Sequence, residues 1–374
     1  MKEKLILVLL AFCAGFAGCC PDDKLPSADP TRTILVYMMA NNSLDSYAAD
    51  NISDMIEGAT SENLNNGNLV VYYAGRGAQA DSLFLIKDNV KTHIKNYDER
   101  NSTDPGVMRR VIQDVVSLYP AGSYGLVLWS HGTAWLPDDV GSMLRSFGQN
   151  GNDWMEIDEL AAGLPDKLFE FILFDACYMA SVECVYELRN KADYILASPT
   201  ETLAYGWPYS LVMKQLFATD FQPEKACETF YNYYLNFRYP YATVSLTKTS
   251  ELENLKNAVR NVLAGKTEKE IYSLDPYQMQ RLEYLYYSSP GMLYDLADYI
   301  KLLATDGQYA EFQKCMEKAV PYKAHTEKSY YGNIREAYSV DSYSGLTVFV
   351  PKQRLSGLFD WYKTRVSWYR AVYQ

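Results

Sequence analysis

The chain has 374 residues, of which 48% are hydrophobic and 22% are charged, a composition typical of a globular protein with a large core and unlike that of a disordered chain. Its 46 acidic residues outnumber its 35 basic residues and give a formal net charge of −11. The average surface therefore repels phosphate backbones, and nucleic acid is not an expected partner. Three histidines without an HExxH or paired CxxC motif argue against a zinc site, and seven cysteines are too few for a disulfide scaffold.

The amino terminus has the pattern of an export signal. An apolar run, Leu5–Ala17, follows a short net-positive start and is too short to cross a bilayer, which takes ~20 residues. The run ends in Phe16-Ala17-Gly18-Cys19, which resembles the bacterial motif in which the cysteine is lipidated. We therefore expect a lipoprotein signal peptide over residues 1–18, a lipid on Cys19 and a tether over residues 19–32. The alternative is an ordinary signal peptide that is cleaved nearby.

This amino terminus also predicts where the protein is located. Both alternatives imply export, and lipidation would anchor the mature chain in the bacterial cell envelope through its lipid. The tether is rich in Pro and Asp and is similar to the surface-export signals of some Gram-negative lipoproteins. Display on the cell surface is therefore an extension of the same prediction.

From Thr33 onward, short apolar runs alternate with helix-length segments, which predicts an α/β fold with a mainly parallel sheet. The runs that suit strands buried on both faces are Ile34–Ala40, Leu69–Ala74, Tyr124–Trp129, Phe169–Phe174 and Tyr194–Ala197. The predicted helices between and after them are Asp104–Leu118, Ala180–Asn190 and Pro223–Phe237.

The sequence changes character near Lys248. Residues 33–248 carry the α/β pattern, whereas residues 249–374 are rich in tyrosine and in predicted helices, with one late strand at Gly345–Val350. No stretch rich in Pro, Gly or Ser separates the two parts. We therefore expect the second part to be a helical elaboration that packs on the first.

A Gly-rich segment after the second strand matches the pattern G-x-G-x-x-A over residues 75–80. A dinucleotide site would need a helix directly after this loop, with its amino terminus facing the phosphates. Ser82–Lys87 instead has the pattern of another strand. The segment is therefore predicted to be a hairpin loop, and no redox cofactor is expected.

Two strands end in residues that could carry chemistry. His131 and Gly132 follow the run that ends at Trp129, and Asp175 and Cys177 follow the run that ends at Phe174. Open α/β sheets bind ligands at the carboxyl ends of their strands, so neighbouring strands would bring a nucleophile and a base into one crevice. A helix predicted to begin near Met179 would favour the Cys177 thiolate, and the amides of Gly132 and Cys177 could stabilise an oxyanion.

Asp175 lies two residues before Cys177, so on an extended strand both side chains point to the same side. A carboxylate at the mouth of the crevice would select a cationic substrate group. Each residue also has a structural alternative when it is taken alone: Cys177 as a small core residue, His131 as a buried hydrogen-bonded residue and Asp175 as a helix cap. Their combination at two strand ends favours the functional interpretation.

These motifs resemble those of the clostripain-like cysteine peptidases, which belong to the superfamily of caspases, legumains and gingipains. The resemblance also includes the segments 37–44, 145–149, 155–160 and 205–209. It covers residues 33 to about 250 well and the rest loosely. It implies a caspase-like α/β/α sandwich and endopeptidase activity after Arg or Lys. The implied roles are a catalytic dyad of His131 and Cys177, with Asp175 as the acidic residue of the S1 pocket.

The resemblance further implies self-processing, because members of the family cut themselves between the His and Cys segments. The basic site in that interval is Arg145-Ser146. Its alternative is a solvated arginine in a loop.

The chain departs from the family pattern in two places. Asn41 stands where many relatives carry Asp, and residues 198–201 replace a more acidic loop. Within that loop, Glu201 and Ser198 are the candidates for completing the S1 pocket. Some relatives need calcium, but the oxygen-bearing residues Asn150, Asn152, Asp153 and Glu156 do not match the EF-hand spacing. Calcium is therefore not predicted, and no other cofactor is implied.

A second function from another class remains open from the sequence. The chain could be a surface lipoprotein that keeps the fold as a binding module without turnover. The intact His131 and Cys177 motifs argue against this alternative, whereas an incomplete S1 pocket would favour it.

Overall fold

The computed structural model describes residues 30–77, 81–98, 101–136, 146–284 and 291–374. In chain order the strands are β1 (Arg32–Met39), β2 (Asn68–Ala74), β3 (Asp81–Lys87), β4 (Val90–Tyr97), β5 (Ser123–Trp129), β6 (Phe147–Asn150), β7 (Asp153–Met155), β8 (Phe169–Asp175), β9 (Ala192–Ala197), β10 (Thr243–Lys248), β11 (Leu293–Asp295), β12 (Tyr322–His325), β13 (Lys328–Tyr331), β14 (Asn333–Ser339) and β15 (Thr347–Phe349).

The helices are α1 (Asp45–Gly58), α2 (Ser61–Leu64), α3 (Pro105–Leu118), α4 (Ile157–Gly163), α5 (Val182–Glu187), α6 (Tyr209–Leu216), α7 (Pro223–Leu235), α8 (Leu252–Leu263), α9 (Glu268–Tyr272), α10 (Leu296–Leu303), α11 (Asp306–Ala319), α12 (Ser356–Arg365) and α13 (Ser367–Tyr373). Among the described residues, no helix combines the length and the apolar character that a membrane span requires.

One sheet organises the fold, with the strand order β12-β10-β9-β8-β5-β1-β2-β3-β4. The strands from β9 to β2 pair in parallel, and antiparallel strands extend the sheet on both sides. Every residue of β1 is buried, as expected for a central strand covered on both faces. This arrangement places the carboxyl ends of β5 and β8 next to each other.

Helices cover both faces of the sheet. Successive residues of a strand point to opposite faces, so Leu35 and Tyr37 belong to one core and Ile34 and Val36 to the other. The first core is closed by α3, α4, α5 and helices of the second half, and the other by α1, α6 and α7. The predicted caspase-like α/β/α sandwich with a mainly parallel sheet is confirmed.

Most local predictions in the first half are also confirmed. Asp104 caps α3 by accepting hydrogen bonds from the amides of Gly106 and Val107, as the Asp-Pro pair indicated. Strand β3 pairs antiparallel with β2, so the Gly-rich segment leads into a hairpin and not into a phosphate-binding helix. The helix predicted over Ala180–Asn190 is shorter and covers Val182–Glu187.

The late strand predicted at Gly345–Val350 is present as β15, Thr347–Phe349, but the second half also contains strands that were not predicted. Within the described part of the chain, the second half contributes β11 to β15, and β12 pairs with β10 at the edge of the main sheet. The strands that were not predicted, β11 to β14, have 3 to 7 residues. Strands β12 to β14 include exposed positions and carry no long apolar run, and β11 is buried but has only 3 residues. One core contains Leu35 of β1 together with Leu255 and Trp368, so the two halves share their packing.

Candidate active site

The strand register brings the two predicted motifs together. Strands β5 and β8 pair in parallel, with Trp129 opposite Asp175. The amide of Ser130 continues this pairing by donating to the carbonyl of Asp175 at 3.4 Å. The loops that carry His131 and Cys177 therefore leave the sheet side by side, as the sequence predicted.

Gly132 allows the two loops to approach closely. A Cβ atom on this residue would lie 2.5 Å from the carbonyl oxygen of Cys177 and 3.0 Å from the Sδ atom of Met179. Any side chain would therefore push the loops apart. Gly132 therefore sets the distance between the loop that carries His131 and the loop that carries Cys177.

A cavity of about 520 Å³ opens at this edge of the sheet. Five of the predicted site residues contribute to its lining: His131, Gly132, Asp175, Cys177 and Glu201. Further lining comes from the loop 202–206 and from the second half of the chain, at Tyr330 and Gly332. The cavity therefore combines a thiol, an imidazole and two carboxyl groups.

His131 is oriented by a hydrogen bond to a serine. Its Nε2 atom lies 2.9 Å from Oγ of Ser43, in the loop between β1 and α1. Its ring also lies near that of Trp154, with 6.2 Å between the centroids. Burial lowers the pKa of His131, because the charged imidazolium loses more hydration free energy on burial than the neutral ring does. The neutral imidazole, which can accept a proton, is therefore favoured.

Cys177 is held by Thr202. The amide of Thr202 donates to Sγ at 3.3 Å, and its Oγ1 atom lies 3.5 Å from the same sulfur. Burial raises the pKa of the thiol to about 12, and the negative charge of Glu201 adds to this effect. The thiol is therefore protonated in this arrangement.

The expected support of the thiolate by a following helix is wrong. Tyr178 adopts a left-handed conformation, with φ of 64°, and the chain runs on to Ser181, which caps α5. This helix begins only at Val182 and has 6 residues. The influence of a helix end falls off within one turn, so the amino terminus of α5 does not lower the pKa of Cys177.

Asp175 lies at the base of the cavity. Its Oδ2 atom accepts hydrogen bonds from the amide of Trp207 at 3.1 Å and from the hydroxyl of Tyr209 at 2.8 Å. Burial nevertheless raises the pKa of Asp175 to about 6, because these two donors offset only part of the lost hydration. Gly206 leaves room for the carboxyl group, since a Cβ there would lie 2.6 Å from Oδ2.

Glu201 connects the cavity to the second half of the chain. Its carboxylate accepts hydrogen bonds from the hydroxyl of Tyr178 at 3.2 Å and from the amide of Gly332 at 2.8 Å. Burial raises the pKa of Glu201 as well. Glu201 thus lines the cavity, and its expected role in binding a basic side chain stays a prediction.

Ser198 occupies a different position. It is buried, and its hydroxyl lies 2.6 Å from that of Thr243 and 3.1 Å from the carbonyl of Thr200. It does not contribute to the lining of the cavity. The structure therefore places Ser198 among neighbouring hydroxyl groups beneath the loop and not at the substrate surface.

The comparisons with known proteins agree with this geometry. The sequence model described as the clostripain family matches residues 36–372. The chain belongs to the clostripain family. This family comprises cysteine peptidases. A search of curated proteins returned no significant match.

Solved structures with the same fold include other members of the family. One is described as an inactive zymogen C11 protease from Parabacteroides distasonis, with 40% identity and a TM-score of 0.86, covering 94% of this chain and 100% of that chain. A secreted C11 cysteine protease from Bacteroides thetaiotaomicron, in complex with an irreversible peptide inhibitor, has 31% identity and a TM-score of 0.79, covering 91% of this chain and 98% of that chain.

A clostripain from Bacteroides thetaiotaomicron, in complex with the peptide inhibitor BTN-VLTK-AOMK, has 30% identity and a TM-score of 0.51. The match covers 60% of this chain and 97% of that chain.

Of the two residues at the predicted processing site of this clostripain-family chain, the structure describes Ser146. Arg145 lies outside the described residues, as does the lipidation candidate Cys19. Ser146 is buried, and its hydroxyl donates to the carbonyl of Ala134 at 2.9 Å. Its carbonyl accepts from the amide of Thr133 at 2.8 Å. The residue after the candidate scissile bond is thus fixed beside the loop that carries His131.

Two residues of the oxygen-bearing loop that was considered for calcium make contacts within the protein. The side-chain oxygen of Asn150 accepts a hydrogen bond from Asn41 at 2.9 Å, and Glu156 takes part in the capping box of α4. In the described part of the chain, no group of three or more His, Cys, Asp or Glu side chains could hold a metal ion.

Sequence reasoning missed four residues of the site. Ser43 lies within a segment that carried the family resemblance, but no pattern assigned it a contact with His131. Thr202 directly follows Glu201 and could have been included with that loop. Tyr330 and Gly332 come from β13 and the turn after it, far along the chain, and no local signal indicated them.

Proposed function

We propose that the protein is an exported cysteine endopeptidase that cleaves peptide bonds after Arg or Lys. Cys177 is the nucleophile, His131 is the general acid and base, and Asp175 selects the basic side chain. The observation that carries this proposal is the shared cavity at the ends of β5 and β8, which is lined by all three residues. Membership of a cysteine peptidase family supports it.

The raised pKa of Cys177 determines how the first step must proceed. A thiol with a pKa of about 12 supplies very little free thiolate at neutral pH, so its proton has to leave as Sγ attacks the carbonyl carbon. His131, with its lowered pKa, is neutral and can take that proton. The amides of Gly132 and Cys177 would stabilise the oxyanion.

The proton then returns to the substrate. His131 protonates the leaving amine, which releases the first product and leaves an acyl group on Sγ. His131 next accepts a proton from water, and the resulting hydroxide attacks the carbonyl carbon of the thioester. As the C–S bond breaks, His131 gives that proton to Sγ, which releases the carboxylic acid product and restores both the thiol and the neutral imidazole. The residues of this chain therefore account for each proton transfer without a cofactor.

The charge of the cavity supports a basic P1 residue. Asp175 and Glu201 both contribute to its lining, and a buried carboxylate recognises a guanidinium or ammonium group most strongly where water is excluded. The inhibitor of the clostripain relative carries the peptide VLTK, which ends in lysine. Both observations support cleavage after Arg or Lys.

We further propose export through residues 1–18, a lipid on Cys19 and a tether over residues 19–32. The description of a relative as secreted supports export. Activation by cleavage after Arg145 is the corresponding proposal for regulation, and it is supported by a relative that is described as an inactive zymogen. In the proposed division of the chain, residues 33–248 form the catalytic part and residues 249–374 complete the cavity.

The decisive experiment measures fluorophore release from matched peptides with Arg, Lys, Asp or Ala at P1. The wild-type chain is compared with Cys177→Ala and His131→Ala, which are prepared in the same way. We expect turnover of the Arg and Lys peptides alone, and its loss in both variants. Absence of turnover after cleavage at Arg145 and addition of calcium would instead favour the non-catalytic surface lipoprotein.

A further inference from the structure

The loop between β1 and α1 is fixed against the loop that carries His131. The buried side chain of Asn42 donates through Nδ2 to the carbonyl of Met39 at 2.8 Å and to the carbonyl of Gln149 at 3.0 Å. It also lies 3.3 Å from the hydroxyl of Ser130, the residue before His131. A single side chain therefore holds three segments around the imidazole.

The hydroxyl of Ser130 strengthens this connection. It donates to the carbonyl of Met39 at 2.8 Å and accepts from the amide of Gln149 at 3.1 Å. Asn42 also accepts from the amide of Leu44 at 2.8 Å through its Oδ1 atom. The backbone on both sides of Ser43 is therefore ordered, although its own side chain is exposed.

Ser43 uses this fixed position to contact one nitrogen of His131. Its Oγ atom lies 2.9 Å from Nε2, which is a good hydrogen-bond distance. Because Ser43 is exposed, its O–H group can donate a hydrogen bond to water while its oxygen accepts a hydrogen bond from Nε2–H of the ring. Nδ1 then remains as the ring nitrogen that exchanges protons with the thiol and the leaving amine.

We propose that Ser43 is a positioning residue that holds His131 in the Nε2–H tautomer by accepting a hydrogen bond from that group. This inference rests on the proposed function, in which His131 is the general base, and it adds a third member to the predicted dyad. Residues that orient a catalytic histidine act through its tautomer and ring position.

The hydrogen bond remains useful through both halves of the reaction. In the neutral ring, Nε2–H donates to Ser43, and the lone pair on Nδ1 can accept the thiol proton. In the imidazolium, Nε2–H still donates to Ser43, and Nδ1–H protonates the leaving amine. Ser43 is therefore an acceptor throughout, gains no proton and needs no rearrangement.

The expected kinetic effect is moderate. A hydrogen bond to a neutral group contributes about 1 kcal/mol and one to a charged group about 1.5–3 kcal/mol. Ser43→Ala should accordingly lower kcat about 5- to 150-fold, since 1.4 kcal/mol corresponds to a factor of ten. KM should stay within about twofold, because Ser43 is assigned no contact with substrate.

The kinetic test compares the full chain with Ser43→Ala, Ser43→Thr and Ser46→Ala. Ser43→Thr keeps a hydroxyl and should restore most of kcat. Ser46 is another exposed serine, in the first turn of α1, so Ser46→Ala controls for serine loss in this region. Wild-type kcat in Ser43→Ala, or a loss confined to KM, would overturn the proposal.

A spectroscopic test does not depend on turnover. The chain has three histidines, His93, His131 and His325, so ¹⁵N-labelled histidine gives few ring signals, which His93→Gln and His325→Gln assign. We expect His131 to show the Nε2–H tautomer in the wild type and a mixture in Ser43→Ala. The same tautomer in both would refute the role of Ser43. An inactive wild type with the expected tautomer change would instead locate the failure in the proposed function.

Discussion

The contact at Gly132 gives a direct test of how the loop that carries His131 is held against the loop that carries Cys177. Gly132→Ala would place a Cβ atom 2.5 Å from the carbonyl oxygen of Cys177, whereas ordinary contact begins near 3.4 Å. The loops must therefore separate by about 0.9 Å at this point. The oxygen belongs to the backbone, so no flexible side chain can absorb the movement.

The same displacement predicts effects on both activity and stability. A misplacement of ~1 Å in a catalytic site can reduce the rate ~100-fold, so we expect kcat/KM on Arg peptides to fall by about that factor. Overpacking of a tight contact costs about 1–3 kcal/mol, and the free energy of unfolding in urea should decrease by a similar amount.

A matched variant separates this effect from that of any Gly-to-Ala change. Gly307 lies in α11, and a Cβ there would meet no atom within 4 Å. Gly307→Ala should leave kcat/KM unchanged and stabilise the fold by about 0.4–1 kcal/mol, because the unfolded chain loses freedom. If Gly132→Ala keeps wild-type kcat/KM while it is folded, the idea that this contact sets the geometry of His131 and Cys177 is wrong.

Three further predictions concern the buried carboxyl groups. Asp175→Asn should lower kcat/KM on Arg peptides at least about 100-fold, because a buried charge pair with the substrate is lost. In the wild type, kcat/KM should fall as the pH drops through about 6, where Asp175 becomes protonated. A pH profile without that step would contradict the assignment of Asp175. Glu201→Gln removes a negative charge that raises the pKa of Cys177. Iodoacetamide should therefore modify Cys177 several-fold faster in this variant at pH 8, as measured by mass spectrometry of the Cys177 peptide. Unchanged or slower modification would refute this prediction. Burial raises the pKa of Glu183, in α5, to about 7, so the folded state binds this proton more tightly than the unfolded state and stability should fall as the pH rises from about 4.5 to about 7. Urea unfolding of Glu183→Gln should show a shallower slope than the wild type, and the slope that remains comes from groups such as Asp175, whose pKa is raised in the same range; equal slopes in the two proteins would contradict this prediction.

The central sheet could be predicted because its strands are buried on both faces. In β1 all the residues are buried, so its apolar run is long and unmistakable. Strand β4 shows the opposite case, since Val90–Tyr97 is mostly exposed and pairs only along one edge with β3. Its sequence, VKTHIKNY, is mostly polar or charged and has no apolar run, and its pairing depends on a hairpin that only the folded structure reveals.

The same distinction applies to the candidate site. His131 and Cys177 could be predicted because parallel neighbouring strands bring their carboxyl ends to one edge. The raised pKa of Cys177 could not, because it comes from the burial of the thiol and from the charge of Glu201, and because the helix expected near Met179 begins only at Val182. The contact between Ser43 and His131 depends in turn on the approach of two loops that are far apart in the sequence.

The second half of the chain contributes to the cavity through the loop beside Cys177. The hydroxyl of Tyr330 in β13 donates to the carbonyl of Thr202 at 2.8 Å, while the amide of Thr202 holds the sulfur of Cys177.

Gly332, in the turn after β13, fixes Glu201 in the same loop. The loop that carries Cys177 also contacts the loop of Glu201 and Thr202, since the amide of Tyr178 donates to the carbonyl of Thr200 at 3.0 Å. The segment that contacts the thiol is thus fixed from both sides. Tyr330 and Gly332 belong to the β13–β14 hairpin. The environment of Cys177 therefore depends on residues that the sequence pattern assigned to the helical elaboration.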